Sequence, residues 1–99
     1  MVQALLYLRT MLRITKITEN GSPAILKLEG KLFDQWVALL EGECRALLRH
    51  KQTVLLDFSC VDYIDANGVE MVQSLPGKHV RVVNAPAFIE DLLGRGGKP

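Results

Sequence analysis

The sequence predicts an α/β domain in which an N-terminal β-hairpin opens a mixed β-sheet and helices pack on that sheet, in the order β-β-α-β-α-β-α. Two runs of alternating apolar and polar residues flank a Glu-Asn-Gly-Ser-Pro segment near the N-terminus, which is typical of a hairpin. Helix-spaced apolar stripes then alternate with short apolar runs, which indicates strands joined by helices. With 99 residues, 48% hydrophobic and 23% charged, the chain fits one globular domain.

The predicted hairpin joins residues 12–17 to residues 24–29. In the second run Leu26 and Leu28 face inward, while the charged residues beside them face outward. Residues 19–23 supply the turn, because Asn-Gly tolerates positive φ and proline stops strand pairing.

A long helix over residues 33–49 follows the hairpin. It is predicted by a stripe of apolar residues at three- and four-residue spacing, namely Phe33, Trp36, Val37, Leu40, Cys44, Leu47 and Leu48. Gly42 interrupts this helix at a cost of about 1 kcal/mol relative to alanine, so we expect a close packing contact there.

Two further strands and two short helices complete the predicted fold. The apolar run over residues 53–58 predicts a central strand covered on both faces, and residues 80–83 predict another buried strand. A short helix leads from Asp65 to the Pro-Gly pair at position 76, and a final helix over residues 86–93 ends at Gly94.

The predicted domain boundaries leave short segments at both ends of the chain. Residues 1–11 are interpreted as an N-terminal extension with little role in the fold, residues 12–93 as a single domain, and residues 94–99 as a flexible tail. The apolar N-terminal run is too short to span a bilayer and lacks the features of a signal peptide. We therefore expect a cytoplasmic protein without membrane insertion.

Composition and motifs argue against several classes of function. The 12 basic and 11 acidic residues are interleaved and no basic block occurs, which disfavours direct nucleic-acid binding. Cys44 and Cys60 lack CxxC spacing and are expected to be buried free thiols, while His50 and His79 are isolated, so no metal is expected. No nucleophile–base pair, GxGxxG or P-loop occurs, so we expect no cofactor, no catalytic residues and no enzyme.

The segment over residues 54–68 carries the most information about function. The predicted strand ends near Asp57, the chain crosses over, and Asp65 caps the next helix by accepting hydrogen bonds from its first amides. Gly68 lets a neighbouring backbone or a partner approach that helix start. Two interpretations remain: a well-capped helix without a binding role, or a partner-docking loop formed by Asp65, Ala66, Asn67 and Gly68 with Asp62 and Tyr63 at its rim.

The run VLLDFSCVDYIDANGVEMV (residues 54–72) resembles the signature of STAS domains, in which an apolar strand is followed by Asp-Ser/Thr-x-Gly at the start of a helix. LKLEGKL (residues 26–32) and the strand and helix of residues 80–93 resemble the same family. The resemblance implies a non-enzymatic protein-binding module of the anti-sigma factor antagonist type, acting in the regulation of transcription in bacteria. In regulated members, an anti-sigma factor with kinase activity phosphorylates the Ser or Thr after the loop Asp, and the added charge opposes docking.

The sequence departs from the family pattern at the phosphoacceptor position. Ala66 has no hydroxyl, so we expect the usual switch to be absent and binding to be constitutive, or control to lie elsewhere, with Ser59 and Tyr63 nearby. An accessory subunit of a membrane transporter and, less favoured, a small nucleotide-binding domain remain as alternatives. The partner and the oligomeric state are left open by the sequence.

Overall fold

The structure, a computed structural model, describes residues 2–8, 11–18 and 23–94. These residues form five strands and three helices, in the order β1 (Val2–Leu8), β2 (Leu12–Thr18), β3 (Ala24–Leu32), α1 (Gln35–Arg49), β4 (Val54–Ile64), α2 (Ala66–Ser74), β5 (Val80–Val83) and α3 (Ala87–Leu93).

The strands form one mixed sheet whose spatial order, β1-β2-β3-β4-β5, is their order along the chain. β1, β2 and β3 are antiparallel neighbours, whereas β3, β4 and β5 are parallel neighbours. From β2 onward the order is β-β-α-β-α-β-α, which confirms the predicted fold class. The antiparallel pairing of β2 with β3 confirms the hairpin, although residues 19–22 of its predicted turn lie outside the described residues.

The N-terminal segment differs from the extension that the sequence suggested. Residues Val2–Leu8 form β1 and pair with β2, with Val2 opposite Thr18 and Leu8 opposite Arg13. The run VQALLYL has no clear alternation of its own, and it gains its strand structure from the backbone groups that the outer edge of β2 offers. The exact start of the domain stays a prediction, and residues 95–99 of the predicted tail lie outside the described residues.

The core lies on one face of the sheet. Alternate residues of the central strands are fully buried there, whereas Leu55 and Asp57 on the other face are half-buried. The helices contribute Val37, Leu40, Cys44, Met71, Val72, Ile89 and Leu93 to the same core. The expected covering of β4 on both faces is therefore wrong. Right-handed crossovers that always step in one direction across a sheet place their helices on one side.

β4 is longer than predicted and contains an irregularity that explains one wrong expectation. The register with β3 shifts between the pairs Lys27–Asp57 and Glu29–Cys60. Strict alternation from Phe58 would bury Cys60, but the shift moves burial to Val61 and leaves Cys60 exposed. Ser59 lies at the irregularity, where its N–H donates to Asp57 Oδ1 at 2.9 Å.

The predicted apolar stripe of α1 is confirmed for its members from Trp36 to Leu48, but Phe33 lies before the helix, which begins at Gln35. The role expected for Gly42 is also wrong. Val37, Leu40 and Cys44 are buried, and burial raises the pKa of the Cys44 thiol to about 12. Gly42 lies on the exposed side of the helix, and a Cβ added there would have no neighbour within 4 Å. No packing contact therefore requires glycine at this position.

Candidate functional site

The candidate site lies where β3 and β4 end and the helices α1 and α2 begin. The two strands are parallel and their last pair is Leu32 with Ile64. Their carboxyl ends therefore reach the same edge of the sheet, and the residues that follow them lie side by side. Such edges commonly carry the binding residues of α/β proteins.

The Asp65 carboxylate fixes the geometry of this edge. Its Oδ1 accepts a hydrogen bond from the Gly68 N–H at 2.7 Å, which confirms that Asp65 caps α2. Its Oδ2 accepts a second hydrogen bond from the Asp34 N–H at 3.0 Å. The Asp65 N–H also donates to the Leu32 carbonyl at 3.2 Å. One residue thus ties the start of α2 to the segment that leads into α1.

Asp34 has an unusual backbone conformation at this position. Its φ of 55° and ψ of −132° lie in a region that favours glycine, and its side chain makes no cap hydrogen bond to α1. The bond from its N–H to Asp65 helps to hold this conformation. The role of Asp34 is not visible in the sequence, because the contact joins residues that are 31 positions apart.

Of the two approaches expected at Gly68, by a neighbouring backbone or by a partner, the structure shows the approach of the chain's own backbone. It is buried, and a Cβ there would lie 2.7 Å from Ile64 Cγ1 and 3.1 Å from the Leu32 carbonyl oxygen. The missing side chain therefore makes room for the chain's own strand ends and not for a partner. Gly68 positions the start of α2 from beneath, and it is not part of the exposed surface.

The exposed surface of the site is formed by the residues around that buried glycine. Ala66 and Asn67 are exposed on the first turn of α2. Among the rim residues, Tyr63 is 46% exposed and packs edge-on against Phe33, with ring centroids 6.0 Å apart. These side chains can offer a flat apolar contact, an amide and an aromatic ring to another molecule.

The other rim residue, Asp62, is paired with a residue of the neighbouring strand. Lys31 Nζ lies 3.1 Å from Asp62 Oδ1, and both side chains are largely exposed to solvent. An exposed pair of this kind contributes little to stability. The places of Lys31 and Phe33 in the site are not visible in the sequence, because only the pairing register of β3 with β4 brings them beside the rim.

The described residues offer neither a cluster of metal-ligating side chains nor a helix that could span a membrane. Residues 2–8, 11–18 and 23–94 contain no group of three or more His, Cys, Asp or Glu side chains that could hold a metal ion. None of the helices within those residues is both long and apolar enough to cross a membrane. The contacts that define the site are hydrogen bonds of Asp65, the Phe33–Tyr63 ring contact and the exposed Lys31–Asp62 ion pair.

Comparison with known families identifies the chain as a member of the STAS domain family, whose model matches residues 15–93. This match confirms the resemblance noted in the sequence. Among curated proteins, no sequence matches the chain.

Solved structures of anti-sigma factor antagonists share the fold. The unphosphorylated form of the antagonist SpoIIAA superposes with a TM-score of 0.65 at 14% identity, over 85% of this chain and 80% of that one. An antagonist from Mycobacterium paratuberculosis gives 0.62 at 17% identity, over 84% and 78% of the two chains. A STAS domain antagonist from Rhodobacter sphaeroides gives 0.54 at 24% identity, over 76% and 88%. At these identities the likeness establishes the fold.

Proposed function

We propose that this chain is a non-enzymatic protein-binding module of the anti-sigma factor antagonist type, which docks its partner through Ala66 and Asn67 at the start of α2. Tyr63 and the Lys31–Asp62 pair form the rim of this docking surface. The observation that carries the proposal is the exposure of Ala66 and Asn67 on a helix start that Asp65 holds through two hydrogen bonds. The structural neighbours, which are themselves anti-sigma factor antagonists, support a cytoplasmic role in bacterial regulation.

The fixed geometry of the surface favours binding to another protein. A surface whose backbone is already ordered loses little conformational entropy when a partner docks. The Asp65 carboxylate orders the first turn of α2. Because Gly68 is buried and has no side chain, that turn packs directly against the ends of β3 and β4. Ala66 adds little bulk, so a partner backbone can approach the first turn closely.

Binding at this surface is proposed to be constitutive. The position that carries the phosphoacceptor in regulated family members is Ala66, and the next residue is Asn67, so neither offers a hydroxyl. A phosphate would bring a charge of about −1.5 to −2 to the first turn. Without an acceptor at Ala66, that charge cannot be added at this position.

Introducing a fixed charge tests the docking surface. The wild-type chain is used as bait in an extract of its native host, the captured protein is identified by mass spectrometry and purified, and its dissociation constant is measured by calorimetry. Ala66→Glu is expected to weaken binding at least tenfold, because the carboxylate would have to be desolvated in the interface.

The control places the same charge elsewhere. The control variant is Gly77→Glu. Gly77 precedes β5, at the end of the parallel strands opposite the docking surface. It is exposed, and an added Cβ there has no neighbour within 4 Å. This variant should leave the dissociation constant unchanged. Equal affinity of the Ala66→Glu and wild-type chains would refute docking at this surface.

A second experiment tests whether phosphorylation regulates docking, separately from whether docking occurs. If the partner has kinase activity, incubation with ATP should leave the mass of the wild-type loop unchanged, while Ala66→Ser should gain one phosphate and release the partner. Phosphorylation of the wild-type chain at Ser59 or Tyr63 with loss of binding would contradict constitutive binding, and would leave the docking surface itself intact.

A further inference from the structure

The outer edge of β1 is unprotected against pairing with another strand. β1 is the first strand of the sheet, and no other strand of the described residues lies outside it. About half of the backbone N–H and C=O groups of an edge strand point away from its only neighbour. Proteins usually guard such edges with lysine, proline or inward-pointing charges. The run VQALLYL contains no charged residue and no proline.

The opposite edge of the sheet, formed by β5, is better protected against pairing. β5 has four residues against the seven of β1, it carries the exposed Arg81, and it runs parallel to its neighbour. Short length and a charge are recognised means of blocking edge pairing. The β5 edge of the sheet is therefore protected against pairing with another strand, and the β1 edge is not.

We propose that β1 is a dimerisation strand: two copies of this chain pair their β1 edges antiparallel across a two-fold axis, which joins their sheets into one sheet of ten strands. The proposal rests on the position of β1 as the first strand of the sheet and on its uncharged sequence.

A second copy fits this edge better than an unrelated strand for two reasons. A two-fold axis places each outward-pointing group opposite its complement on the other copy, and it closes the assembly at two chains. Pairing an uncharged strand with itself brings no like charges together. Pairing of β1 with the β5 edge of another copy would repeat without closing, and β5 is the guarded edge.

The pairing register of β1 with β2 indicates where along β1 the two-fold axis of the dimer lies. A shift between Leu5 and Tyr7 in the pairing with β2 marks a bulge, which leaves Val2–Leu5 as the longest regular stretch. We therefore place the axis beside Gln3 and Ala4. β2 and β3 separate β1 from β4, a distance of about 14 Å at ordinary strand spacing. The dimer would leave the α2 docking surface free.

Sedimentation of the full chain over a wide range of concentrations tests the proposal. The wild-type chain is expected to pass from monomer to dimer. Gln3→Lys and Ala4→Lys should each raise the dissociation constant of the dimer at least tenfold, since each variant brings two like charges together at the axis. Gly77→Lys should leave it unchanged. A wild-type chain that sediments as a monomer at every concentration would overturn the proposal.

Cross-linking provides a test that does not depend on the stability of the lysine variants. Equivalent residues beside the axis should lie within the Cα separation of about 4.4–6.8 Å that a disulfide allows. Gln3→Cys and Ala4→Cys are prepared with Cys60→Ser, because Cys60 is exposed, while Cys44 stays buried. Oxidation should give covalent dimers from at least one of them and none from Gly77→Cys in the same background. Absence of cross-linking at both positions, or equal cross-linking at Gly77, would contradict the dimer.

Discussion

The helices α1 and α2 begin at the same edge of the sheet in different ways. The start of α2 is stabilised by a local contact, because the capping Asp65 and the Gly68 N–H that it accepts from are three residues apart. α1 begins at Gln35, directly after Asp34, which has a φ of 55° and makes no side-chain cap hydrogen bond. The Asp34 N–H instead donates to the carboxylate of Asp65, at the start of the other helix. One carboxylate thus organises both helix starts, the first through local sequence and the second through the fold.

The largest effect is expected when this carboxylate is removed. Asp65→Ala should lower the free energy of unfolding by about 2–3 kcal/mol, because the cap of α2 and the bond to Asp34 are lost together. Asp65→Asn keeps one oxygen to accept from Gly68 but loses the acceptor for the Asp34 N–H, so about half of that loss is expected. Urea unfolding of the three proteins measures both values. An Asp65→Asn chain as stable as the wild type would show that the bond to the Asp34 N–H contributes no stability.

A smaller loss is expected at the glycine beneath the start of α2. Gly68→Ala should lower the free energy of unfolding by about 1–2 kcal/mol, because its methyl group would press on the Ile64 side chain and the Leu32 carbonyl. Gly42→Ala is the matched control, since it lies in α1 with open space around the added Cβ and should raise stability by about 1 kcal/mol. Opposite signs in parallel unfolding experiments would support the packing described. A gain at both positions would show that Gly68 is not tightly packed.

The smallest of these effects concerns the backbone of Asp34. Asp34→Gly should raise the free energy of unfolding by about 1 kcal/mol, because glycine adopts the observed φ of 55° without the steric cost of a Cβ. Asp34→Ala keeps that cost and should give no gain. Thermal unfolding monitored by circular dichroism compares the two. Equal stability of both variants would mean that the α1 start stores no strain.

The same division between local and long-range contacts explains how far the sequence could predict this molecule. The hairpin, the alternation of helices and strands, and the capped start of α2 depend on neighbouring residues, and all three are confirmed. β1, the exposure of Cys60 and the bond at Asp34 depend on strand pairing, on a shift in register and on a contact between distant segments. None of these leaves a pattern in a single stretch of sequence.

The proposed site divides in the same way. Ala66 and Asn67 could be placed on an exposed helix start from the Asp65 cap alone, and both are exposed. The buried position of Gly68 and the presence of Lys31 and Phe33 at the rim required the register of β3 with β4. The spacing of residues along the chain predicted the first turn of α2, whereas the residues around that turn are set by the pairing of β3 with β4.

Docking of a partner on the first turn of α2 can be mapped residue by residue by adding the purified partner to the chain and following its amide NMR signals. We expect the largest shift changes at Tyr63, Ala66 and Asn67, while the signals of Gly77 and His79, which precede β5 at the opposite end of the sheet, stay unchanged. If the largest changes occurred at Gly77 and His79 or along β1, with Ala66 and Asn67 unaffected, the partner would not dock on the first turn of α2.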